Sequence, residues 1–329
     1  MKAAVRDRYG PPEVVELREI DTPAPADDEV LVHVRAASVN PADWYETTGT
    51  PYVGRVPMGL RKPKQRVLGV DFAGTVEAVG RDVTQFRPGD EVFGGRSGAF
   101  AEYVCVGEER AVVPKPAGVT FEQAAAVPVA GLTALQGLRD KGRIQSGQQV
   151  LINGASGGVG TFAVQIAKAF GAEVTGVCST RNVDLVRSLG ADHVVDYSRE
   201  DFTRSDRRYD LMLDVAGSRP WSECRRVLNP QATLVMVGAP KGNTLLGPLS
   251  HILKLRLAAV RSSRRVVFFI AKFNKADLTA LRDLLEAGKV TPVIDRRYEL
   301  SEIADALRYV GEGHAKAKVV VSTAAKLTA

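Results

Sequence analysis

The first 120 residues carry short segments in which apolar and polar positions alternate, and glycine and proline separate these segments. Alternation with a period of two predicts strands that bury one face, as in residues 29–35, 74–79 and 100–106. Turn sequences such as Arg87-Pro88-Gly89-Asp90 divide the strands. This part of the chain therefore predicts a β-rich, barrel-like domain. Residues 41–64 hold several prolines and glycines, which predicts a long loop of the kind that often serves as a binding lid.

From about residue 120 the pattern changes to apolar strands that alternate with amphipathic helices. Residues 149–152 predict a strand, and apolar residues at helical spacing predict a helix over 159–170. Further strands are predicted at 174–178, 193–196, 211–215, 233–237 and 266–270. Six strands with helical segments between them indicate an α/β domain with a doubly wound parallel sheet. Two helices, at 276–287 and 302–310, and a last strand, at 318–321, are predicted to follow.

Composition predicts a globular protein of two domains, since the chain has 329 residues and about 150 make one domain. Apolar residues make up 45% and charged residues 25%. Three cysteines and four histidines are too few for a four-cysteine zinc site or a disulfide framework. The first residues contain no apolar segment of signal-peptide length, and no stretch is long enough to span a bilayer. We therefore expect a cytoplasmic protein without a membrane partner.

The net charge of +6 is a mild excess that suits an anionic small molecule as well as nucleic acid. The densest basic patch consists of Lys254, Arg256, Arg261, Arg264 and Arg265. A solvated face is the favoured interpretation of this patch, and proximity to a bound phosphate is the alternative. Nucleic acid is not expected as a partner because no nucleic-acid-binding module is recognisable.

A glycine-rich segment lies between the strand at 149–152 and the helix that follows it. It reads Asn153-Gly154-Ala155-Ser156-Gly157-Gly158-Val159-Gly160. A dinucleotide-binding loop needs small residues at its turn, at the closest approach to pyrophosphate, and where helix packs on strand; Ala155, Gly157 and Gly160 have this spacing. The helix start adds free N–H groups and a positive dipole end. This segment, including Ser156, Gly158 and Val159, is predicted to bind a dinucleotide, with an ordinary glycine turn as the alternative.

The end of the next strand indicates NADPH rather than NADH. An NAD site usually places Asp or Glu about 20 residues beyond the loop, where it binds the ribose 2′-hydroxyl. Ser179, Thr180 and Arg181 stand there instead. The Arg181 guanidinium can pair with a 2′-phosphate, which a carboxylate would repel, although a surface arginine is the alternative. We therefore expect NADP(H) as the cofactor.

Four further motifs accompany the loop: Ala37-Ser-Val-Asn40-Pro41-Ala-Asp43, Gly69-Val-Asp71-Phe-Ala-Gly74, Val83-Thr-Gln-Phe-Arg-Pro-Gly-Asp-Glu-Val92 and Ala130-Gly131-Leu132-Thr133-Ala134. With them the chain resembles the medium-chain dehydrogenase/reductase superfamily, in its quinone oxidoreductase (zeta-crystallin-like) branch, over nearly its whole length. The resemblance implies a GroES-like catalytic domain formed by residues 1–122 and 268–329. A Rossmann NADP-binding domain at 123–267 would be inserted in it, and a homodimer is expected.

The same resemblance argues against zinc. Zinc alcohol dehydrogenases of the superfamily have cysteine at the position of Asn40, histidine at that of Val70, and commonly cysteine near Val129. Asparagine and valine cannot hold zinc in its tetrahedral nitrogen and sulfur geometry. The four histidines, at 33, 193, 251 and 314, are scattered and are interpreted as structural or surface residues. We expect no metal, and therefore hydride transfer to a carbon that is already electrophilic.

The resemblance also implies residues near the reacting atoms. Tyr45 and Tyr52 correspond to tyrosines of bacterial quinone reductases and of mitochondrial enoyl thioester reductases, and either phenol could donate a proton. Asn40 is expected beside the nicotinamide ribose. The other implied cofactor contacts are Thr133, Tyr197, Val237, Gly238, Phe269 and Ile270. The alternative for Asn40 is a turn residue before Pro41, and for the others it is ordinary packing or surface exposure.

The sequence thus predicts a zinc-independent, NADPH-dependent reductase of a quinone or an α,β-unsaturated carbonyl compound. One alternative is an NADPH-dependent 2-enoyl thioester reductase, which Tyr52 would distinguish. The other is a non-catalytic, crystallin-like protein that binds nucleotide or RNA, which only the basic patch supports.

Overall fold

The computed structural model describes residues 1–238, 257, 262–313 and 315–323. The chain divides into two units. The first comprises Met1–Leu132, Lys272–Gly288 and Pro292–Ala329, and the second comprises Thr133–Ala271 and Lys289–Thr291. The sequence predicts domain boundaries after residues 122 and 267. In the structure the chain passes from one unit to the other after Leu132 and again after Ala271.

Fifteen strands have described bounds. They are β1 (Lys2–Val5), β2 (Glu16–Glu19), β3 (Glu29–Val39), β4 (Asp71–Val79), β5 (Glu91–Gly95), β6 (Tyr103–Gly107), β7 (Val112–Pro114), β8 (Gln149–Asn153), β9 (Glu173–Cys178), β10 (His193–Asp196), β11 (Tyr209–Asp214), β12 (Leu228–Met236), β13 (Arg265–Phe268), β14 (Ile294–Glu299) and β15 (Lys318–Ser322).

Nine α-helices have described bounds. They are α1 (Pro41–Thr48), α2 (Arg55–Met58), α3 (Phe121–Ala125), α4 (Pro128–Gln136), α5 (Gly158–Ala169), α6 (Val183–Ser188), α7 (Trp221–Cys224), α8 (Lys275–Glu286) and α9 (Ile303–Glu312). Short 3₁₀ turns lie at Pro12–Val14, Tyr52–Gly54, Thr180–Asn182, Phe202–Arg204 and Leu300–Glu302, and α4 continues as a π-helix at Gly137–Gly142.

The first unit is built on a sheet with the order β14-β15-β3-β4-β5-β7, in which β6 also pairs with β3. The long strand β3 pairs antiparallel with β4, β6 and β15. Its alternate residues Val30, Val32 and Val34 are buried against Phe72 of β4, as the predicted alternation requires. Val319 of β15 pairs with Val39 of β3, so a strand near the end of the chain completes the sheet of its beginning.

The prediction of one long loop over residues 41–64 is wrong, because α1, a 3₁₀ turn and α2 lie there. Helix α1 begins where Asp43 Oδ2 accepts a hydrogen bond from the Asn40 N–H at 2.7 Å. Pro41 takes the first helical position, where the N–H that proline lacks is not needed. The helix ends at Gly49, whose φ of +63° is left-handed. Proline here starts a helix instead of preventing one.

The second unit contains a six-stranded, fully parallel sheet with the order β10-β9-β8-β11-β12-β13. This order runs outward from β8 in both directions, which is the doubly wound arrangement that the strand and helix pattern predicts. The predicted α/β fold class is confirmed. The strand order reverses between β8 and β11, and ligands of such sheets bind at the carboxyl ends of the strands on either side of this point.

Helix α5 covers the sheet of the second unit with the apolar stripe that its sequence predicts. Phe162, Ala163, Ile166 and Ala167 are fully buried on that stripe. With 12 residues, α5 and α8 are the longest helices that have described bounds. Nowhere in the described ranges is a helix both long and apolar enough to cross a membrane.

Candidate active site

The loop between β8 and α5 is fixed by its own backbone in the second unit. The N–H groups of Gly154 and Ala155 both donate to the Val177 carbonyl of β9, at 3.1 and 2.9 Å. The Gly157 N–H donates to the Gly154 carbonyl at 3.1 Å. Gly154 has a φ of +89°, which favours glycine. The predicted phosphate loop is therefore a tight turn held against the neighbouring strand.

Gly157 and Gly160 differ in whether the surrounding protein atoms leave room for a side chain. A Cβ on Gly160 would lie 2.1 Å from the Gly154 carbonyl oxygen and 2.8 Å from Ala155 Cα, so α5 can approach the loop only with glycine there. A Cβ on Gly157 would lie 3.5 Å from its nearest neighbour, which is an ordinary contact. The described protein atoms do not require glycine at 157, whereas a ligand that approaches the loop closely would.

The start of α5 is suited to bind an anion. The helix begins at Gly158, so the N–H groups of its first turn have no acceptor within the helix. Thr161 donates to the Gly157 carbonyl at 3.0 Å, and no acidic residue lies in the first turn. Ser156, Gly158 and Val159 are half-buried at this end. Free N–H groups and an uncompensated helix dipole bind phosphate oxygens, so the phosphates of a dinucleotide fit this loop.

Asn182 connects the loop to the end of β9. Its buried side-chain Nδ2 donates to Ser156 Oγ at 3.0 Å and to Ser179 Oγ at 3.2 Å. Two predicted cofactor residues are thus brought together by a third residue that the sequence analysis missed. The two serines belong to successive strand–helix connections, and no spacing in the sequence signals a contact across them.

The predicted 2′-phosphate residues lie just beyond β9. Arg181 is exposed in the 3₁₀ turn, and its side chain makes no hydrogen bond or ion pair with another described residue. Thr180 Oγ1 donates to Asp196 Oδ2 at 2.6 Å. Tyr197 follows β10 and is 58% exposed. Arg181 and Tyr197 are therefore accessible to a ligand, while Thr180 is engaged with a carboxylate.

The carboxyl ends of β8 and β11 meet where the strand order reverses. Asp214 Oδ1 accepts from Asn153 Nδ2 and from the Gly217 N–H, both at 2.8 Å. Its other oxygen, Oδ2, is buried and has no hydrogen-bond partner among the described residues. This burial raises the pKa of Asp214 to about 6. The sequence gives no signal for Asp214, because a single aspartate at a strand end matches no motif.

Val237 and Gly238, which are predicted cofactor residues, follow β12 at the same edge of the sheet. Their N–H groups donate to the Asp214 carbonyl at 2.9 and 3.2 Å. A Cβ on Gly238 would lie 1.8 Å from the Val215 carbonyl oxygen, so packing within the unit already requires glycine. The location fits the prediction, while contact with a cofactor stays a prediction.

The other predicted cofactor residues of the second unit differ in exposure. Lys141 Nζ lies 5.9 Å from the ring centre of Phe269, which is half-buried. Ile270 is 79% exposed, and Thr133 is half-buried in α4. Their contacts with a cofactor stay predictions.

A buried polar network surrounds Asn40 in the first unit. Asn40 Nδ2 donates to Asp71 Oδ2 at 2.9 Å, and Asn40 Oδ1 accepts from Lys318 Nζ at 2.6 Å. The Asp71 carboxylate also accepts from Ser38 Oγ at 2.8 Å and from the Val129 N–H at 3.0 Å. Lys318 Nζ lies 3.5 Å from Asp71 Oδ2, and its side chain is 3% exposed. The Asn40 carboxamide is therefore held at both ends.

Burial sets the charges of this network. It raises the pKa of Asp71 and lowers the pKa of Lys318, and the charge of each opposes the shift of the other. Several donors face the Asp71 carboxylate and favour its ionised form. Asp43 is also buried, which raises its pKa to about 8, and its Oδ1 has no hydrogen-bond partner in the described part of the chain. Near neutral pH Asp43 is therefore mainly protonated, beside the Asp71–Lys318 pair.

The two candidate tyrosines lie in different surroundings. Tyr45 in α1 is half-buried with its ring edge-on to Trp44 at 5.1 Å between centres, and burial raises the pKa of Tyr45. Tyr52 is 47% exposed, and the Arg55 guanidinium lies 4.6 Å from its ring centre. Arg55 also lies 4.4 Å from the ring centre of Tyr9. Proton donation by either candidate stays a prediction.

The fold and the phosphate loop are those of a dinucleotide-binding protein, and comparison with known proteins gives its family. The first unit matches the alcohol dehydrogenase GroES-like domain over residues 26–117. The zinc-binding dehydrogenase family matches residues 189–321.

Full-length relatives share this organisation. The chain is 35% identical to NAD(P)H oxidoreductase RTN4IP1, mitochondrial, of Mus musculus, over 98% of this chain and 89% of the relative. It is 33% identical to Quinone-oxidoreductase QR1, chloroplastic, of Triphysaria versicolor, over 98% of each. Among solved structures, the quinone oxidoreductase from Coxiella burnetii has a TM-score of 0.85 at 31% identity, covering 98% of this chain and 99% of that one.

The chain therefore belongs to the medium-chain dehydrogenase/reductase superfamily, in its quinone oxidoreductase branch, and it is an NAD(P)H-dependent oxidoreductase. The resemblance stated from the motifs is confirmed. The names of the two relatives describe them as mitochondrial and chloroplastic, so a cytoplasmic location of this chain stays a prediction.

The residues of the first unit do not fit the zinc of the superfamily's alcohol dehydrogenases. The resemblance places Asn40, Val70 and Val129 where those enzymes have metal ligands, and none of the three supplies a thiolate or imidazole. The Lys318 ammonium, 2.6 Å from Asn40 Oδ1, would repel a divalent cation there. Among the described residues, no three His, Cys, Asp or Glu side chains form a group that could hold a metal.

The described histidines have other partners. His33 stacks on Tyr103 with 4.8 Å between ring centres, and His193 Nε2 lies 3.0 Å from Glu173 Oε1. His251 and His314 lie outside the described residues.

We expect substitutions at Gly157 and Gly160 to separate cofactor binding from folding. Gly160→Ala presses a Cβ against backbone and should lower stability by about 1–3 kcal/mol. Gly157→Ala should change the unfolding temperature by no more than about 3 °C, yet weaken NADPH binding by roughly tenfold or more. Thermal unfolding without cofactor and NADPH fluorescence titration measure the two effects. Gly118→Ala, in open space, is the control. If Gly157→Ala bound NADPH with wild-type affinity, the assignment of Gly157 to the phosphate-binding loop would be contradicted.

Asp214→Asn should change how stability depends on pH. The folded-state pKa of about 6 lies above the unfolded value near 3.9, so the Asp214 contribution to stability falls as pH rises from about 4 to 6 and is constant above. The free energy of unfolding of Asp214→Asn minus that of wild type should therefore increase by about 2–3 kcal/mol between pH 4 and 7. Urea unfolding at each pH measures this difference.

The control for this experiment is Asp210→Asn, on the same strand. The Asp210 carboxylate is half-buried, and both of its oxygens have donors, from Asn229 Nδ2 and the Gln149 N–H. If the free energies of unfolding of wild type and Asp214→Asn changed in parallel with pH, ionisation of the buried Asp214 carboxyl would not destabilise the folded state, and the prediction would be wrong.

Proposed function

We propose that this chain is an NADPH-dependent reductase that transfers hydride to quinones or α,β-unsaturated carbonyl compounds without zinc. The observation that carries the substrate class is the network of Asn40, Asp71 and Lys318. At Asn40, where the resemblance places a metal ligand of the superfamily's zinc enzymes, an amide is already hydrogen-bonded to the Asp71 carboxylate and the Lys318 ammonium. This supports a reaction in which no metal polarises the substrate.

The chemistry follows from the lack of a Lewis acid in the proposed site. Alcohol oxidation and reduction of simple carbonyls depend on a polarising metal or an equivalent donor, whereas a quinone or an enone already has an electrophilic carbon. Bound NADPH supplies the hydride. Hydride addition leaves the oxyanion of a hydroquinone or of an enolate. One proton then completes the reduction, on the oxygen to give a hydroquinone or on the α-carbon to give a saturated ketone. The chain must orient the substrate and stabilise this oxygen, and Tyr45 and Tyr52 are the proposed donors.

The preference for NADPH rests on the end of β9. The exposed Arg181 guanidinium has no partner among the described residues and can pair with a 2′-phosphate. The nearby carboxylate of Asp196 is already engaged by Thr180 Oγ1 and by the Ser198 N–H, at 2.6 and 3.0 Å. This arrangement supports recognition of the 2′-phosphate over the 2′-hydroxyl.

Arg181→Ala should raise the KM for NADPH about 10- to 100-fold, the loss expected for one hydrogen-bonded charge pair, and leave the KM for NADH nearly unchanged. Initial rates with each cofactor at saturating quinone measure the change. Arg187→Ala is the matched control, because Arg187 is an exposed arginine of α6 that lies 3.7 Å from Asp184. Equal changes of both KM values in Arg181→Ala would contradict a role in 2′-phosphate recognition.

The substrate class is tested by following NADPH oxidation at 340 nm with panels of quinones, enones, enoyl thioesters and aldehydes. We expect reduction of quinones or enones and no reduction of aldehydes, with rates unchanged by a chelator and no stoichiometric zinc in the purified protein. Chelator-sensitive aldehyde reduction with one zinc per chain would overturn the proposal.

The same panel tests the thioester alternative. If thioesters are the preferred substrates and Tyr52 donates the proton, Tyr52→Phe should lower their kcat strongly, while Tyr45→Phe should not. Unchanged thioester reduction in Tyr52→Phe would end the direct-donor version of this alternative.

The RNA-binding alternative has little support. Lys254, Arg256 and Arg261 of the basic patch lie outside the described residues. Arg264 serves the second unit itself, because its Nε and Nη2 donate to the Leu228 carbonyl at 3.1 and 2.8 Å. The homodimer is proposed from the family alone, and light scattering of the purified protein tests it.

A further inference from the structure

Lys318 is a buried cation, and repulsion of a divalent metal ion does not by itself explain why a lysine stands at this position. It faces Asn40 because Val319, the next residue of β15, pairs with Val39 of β3. Its side chain is 3% exposed, and its Nζ lies 2.6 Å from Asn40 Oδ1. Burial of an ammonium costs free energy even when it is paired. An apolar residue would fill this position without the desolvation free energy of a buried charge. Lys318 is therefore expected to have a role beyond packing.

Lys318 and Asp71 together fix the orientation of the Asn40 carboxamide. An ammonium can only donate hydrogen bonds, and an ionised carboxylate can only accept them. Asn40 Oδ1 therefore faces Lys318, and Asn40 Nδ2 faces Asp71. A flipped amide would set two donors against each other at one end and two acceptors at the other. Only one of the two amide orientations is compatible with both neighbours.

Asp71 is itself held in place independently of Asn40. Ser38 Oγ donates to its Oδ2 at 2.8 Å, and the Val129 N–H, near the start of α4, donates to its Oδ1 at 3.0 Å. The positive end of the helix dipole further favours a carboxylate at this place. The carboxylate is thus a fixed anchor, and Lys318 is the cation that completes the arrangement around Asn40.

We propose that Lys318 is a positioning residue of the reductase, whose ammonium holds the Asn40 carboxamide in the one orientation that the reaction uses. The inference rests on the proposed function, in which Asn40 belongs to the reacting site. Lys318 acts through Asn40 and does not contact the substrate.

A lysine that only stabilises the fold would behave differently, and a set of variants separates the two roles. Lys318→Met leaves Asp71 buried without its cation and should destabilise the protein. Adding Asp71→Asn removes the second charge and should restore most of the lost unfolding temperature. Lys115→Met is the matched control, because Lys115 is a buried lysine of the same unit that pairs with Glu91 at 2.9 Å. It should alter stability without altering kcat.

The positioning role predicts that Lys318→Met/Asp71→Asn regains stability but keeps kcat for NADPH-dependent quinone reduction lowered about 10- to 100-fold, with 1,4-naphthoquinone as the probe. It also predicts that Lys318→Met causes no further loss of kcat in an Asn40→Ala background, because both changes remove the same oriented amide. Recovery of wild-type kcat together with stability, or multiplication of the two single losses, would overturn the proposal.

A second readout does not depend on activity. In protein labelled with ¹⁵N-asparagine, the Asn40 side-chain amide, assigned by its loss in Asn40→Ala, should give one slowly exchanging pair of hydrogens. In Lys318→Met/Asp71→Asn this pair should exchange faster, while the buried Asn153 amide, bound to Asp214, should not change. An unchanged Asn40 pair would overturn the proposal. A wild-type protein that reduces no quinone or enone would refute the proposed function instead, and the amide readout would still decide the role of Lys318.

Discussion

The Asp71 carboxylate joins segments that are far apart in the chain. It begins β4, accepts hydrogen bonds from Ser38 on β3 and from the Val129 N–H of α4, and faces Lys318 on β15. Removing one member of a buried ion pair costs about 3–5 kcal/mol, so these contacts depend on one another. The position of Asn40, between the carboxylate and the ammonium, follows from this arrangement.

Each unit contains a group of candidate site residues, and the two groups are built by different physical means. In the second unit the proposed ligand-binding groups are backbone N–H groups at the start of α5, and glycine is required where backbone meets backbone at Gly160. In the first unit the polar groups are side chains buried with their charges balanced. A phosphate loop needs no charged side chain to attract an anion, whereas orienting an amide needs neighbours that can only donate or only accept.

Much of the fold was predictable because the signals are local. The strands at 149–152 and 193–196 and the helix beginning near 159 were predicted within one or two residues, since periodicity reports burial directly. The segment 41–64 was mispredicted because its prolines and glycines were interpreted as breakers. There Pro41 starts α1 and Gly49 ends it, and the Asp43 contact that fixes the start depends on the backbone already being helical.

The amino-acid sequence alone was enough to predict the phosphate loop and the family, because residues 153–160 are contiguous and each requirement of the loop falls on a fixed offset. It also indicated that zinc ligands are missing at Asn40, Val70 and Val129. The groups that surround Asn40 in their place become apparent only once the chain is folded. Asn40 and Lys318 are 278 residues apart and meet through the pairing of β3 with β15, and strand pairing between distant segments leaves no spacing in the sequence from which that contact could be inferred.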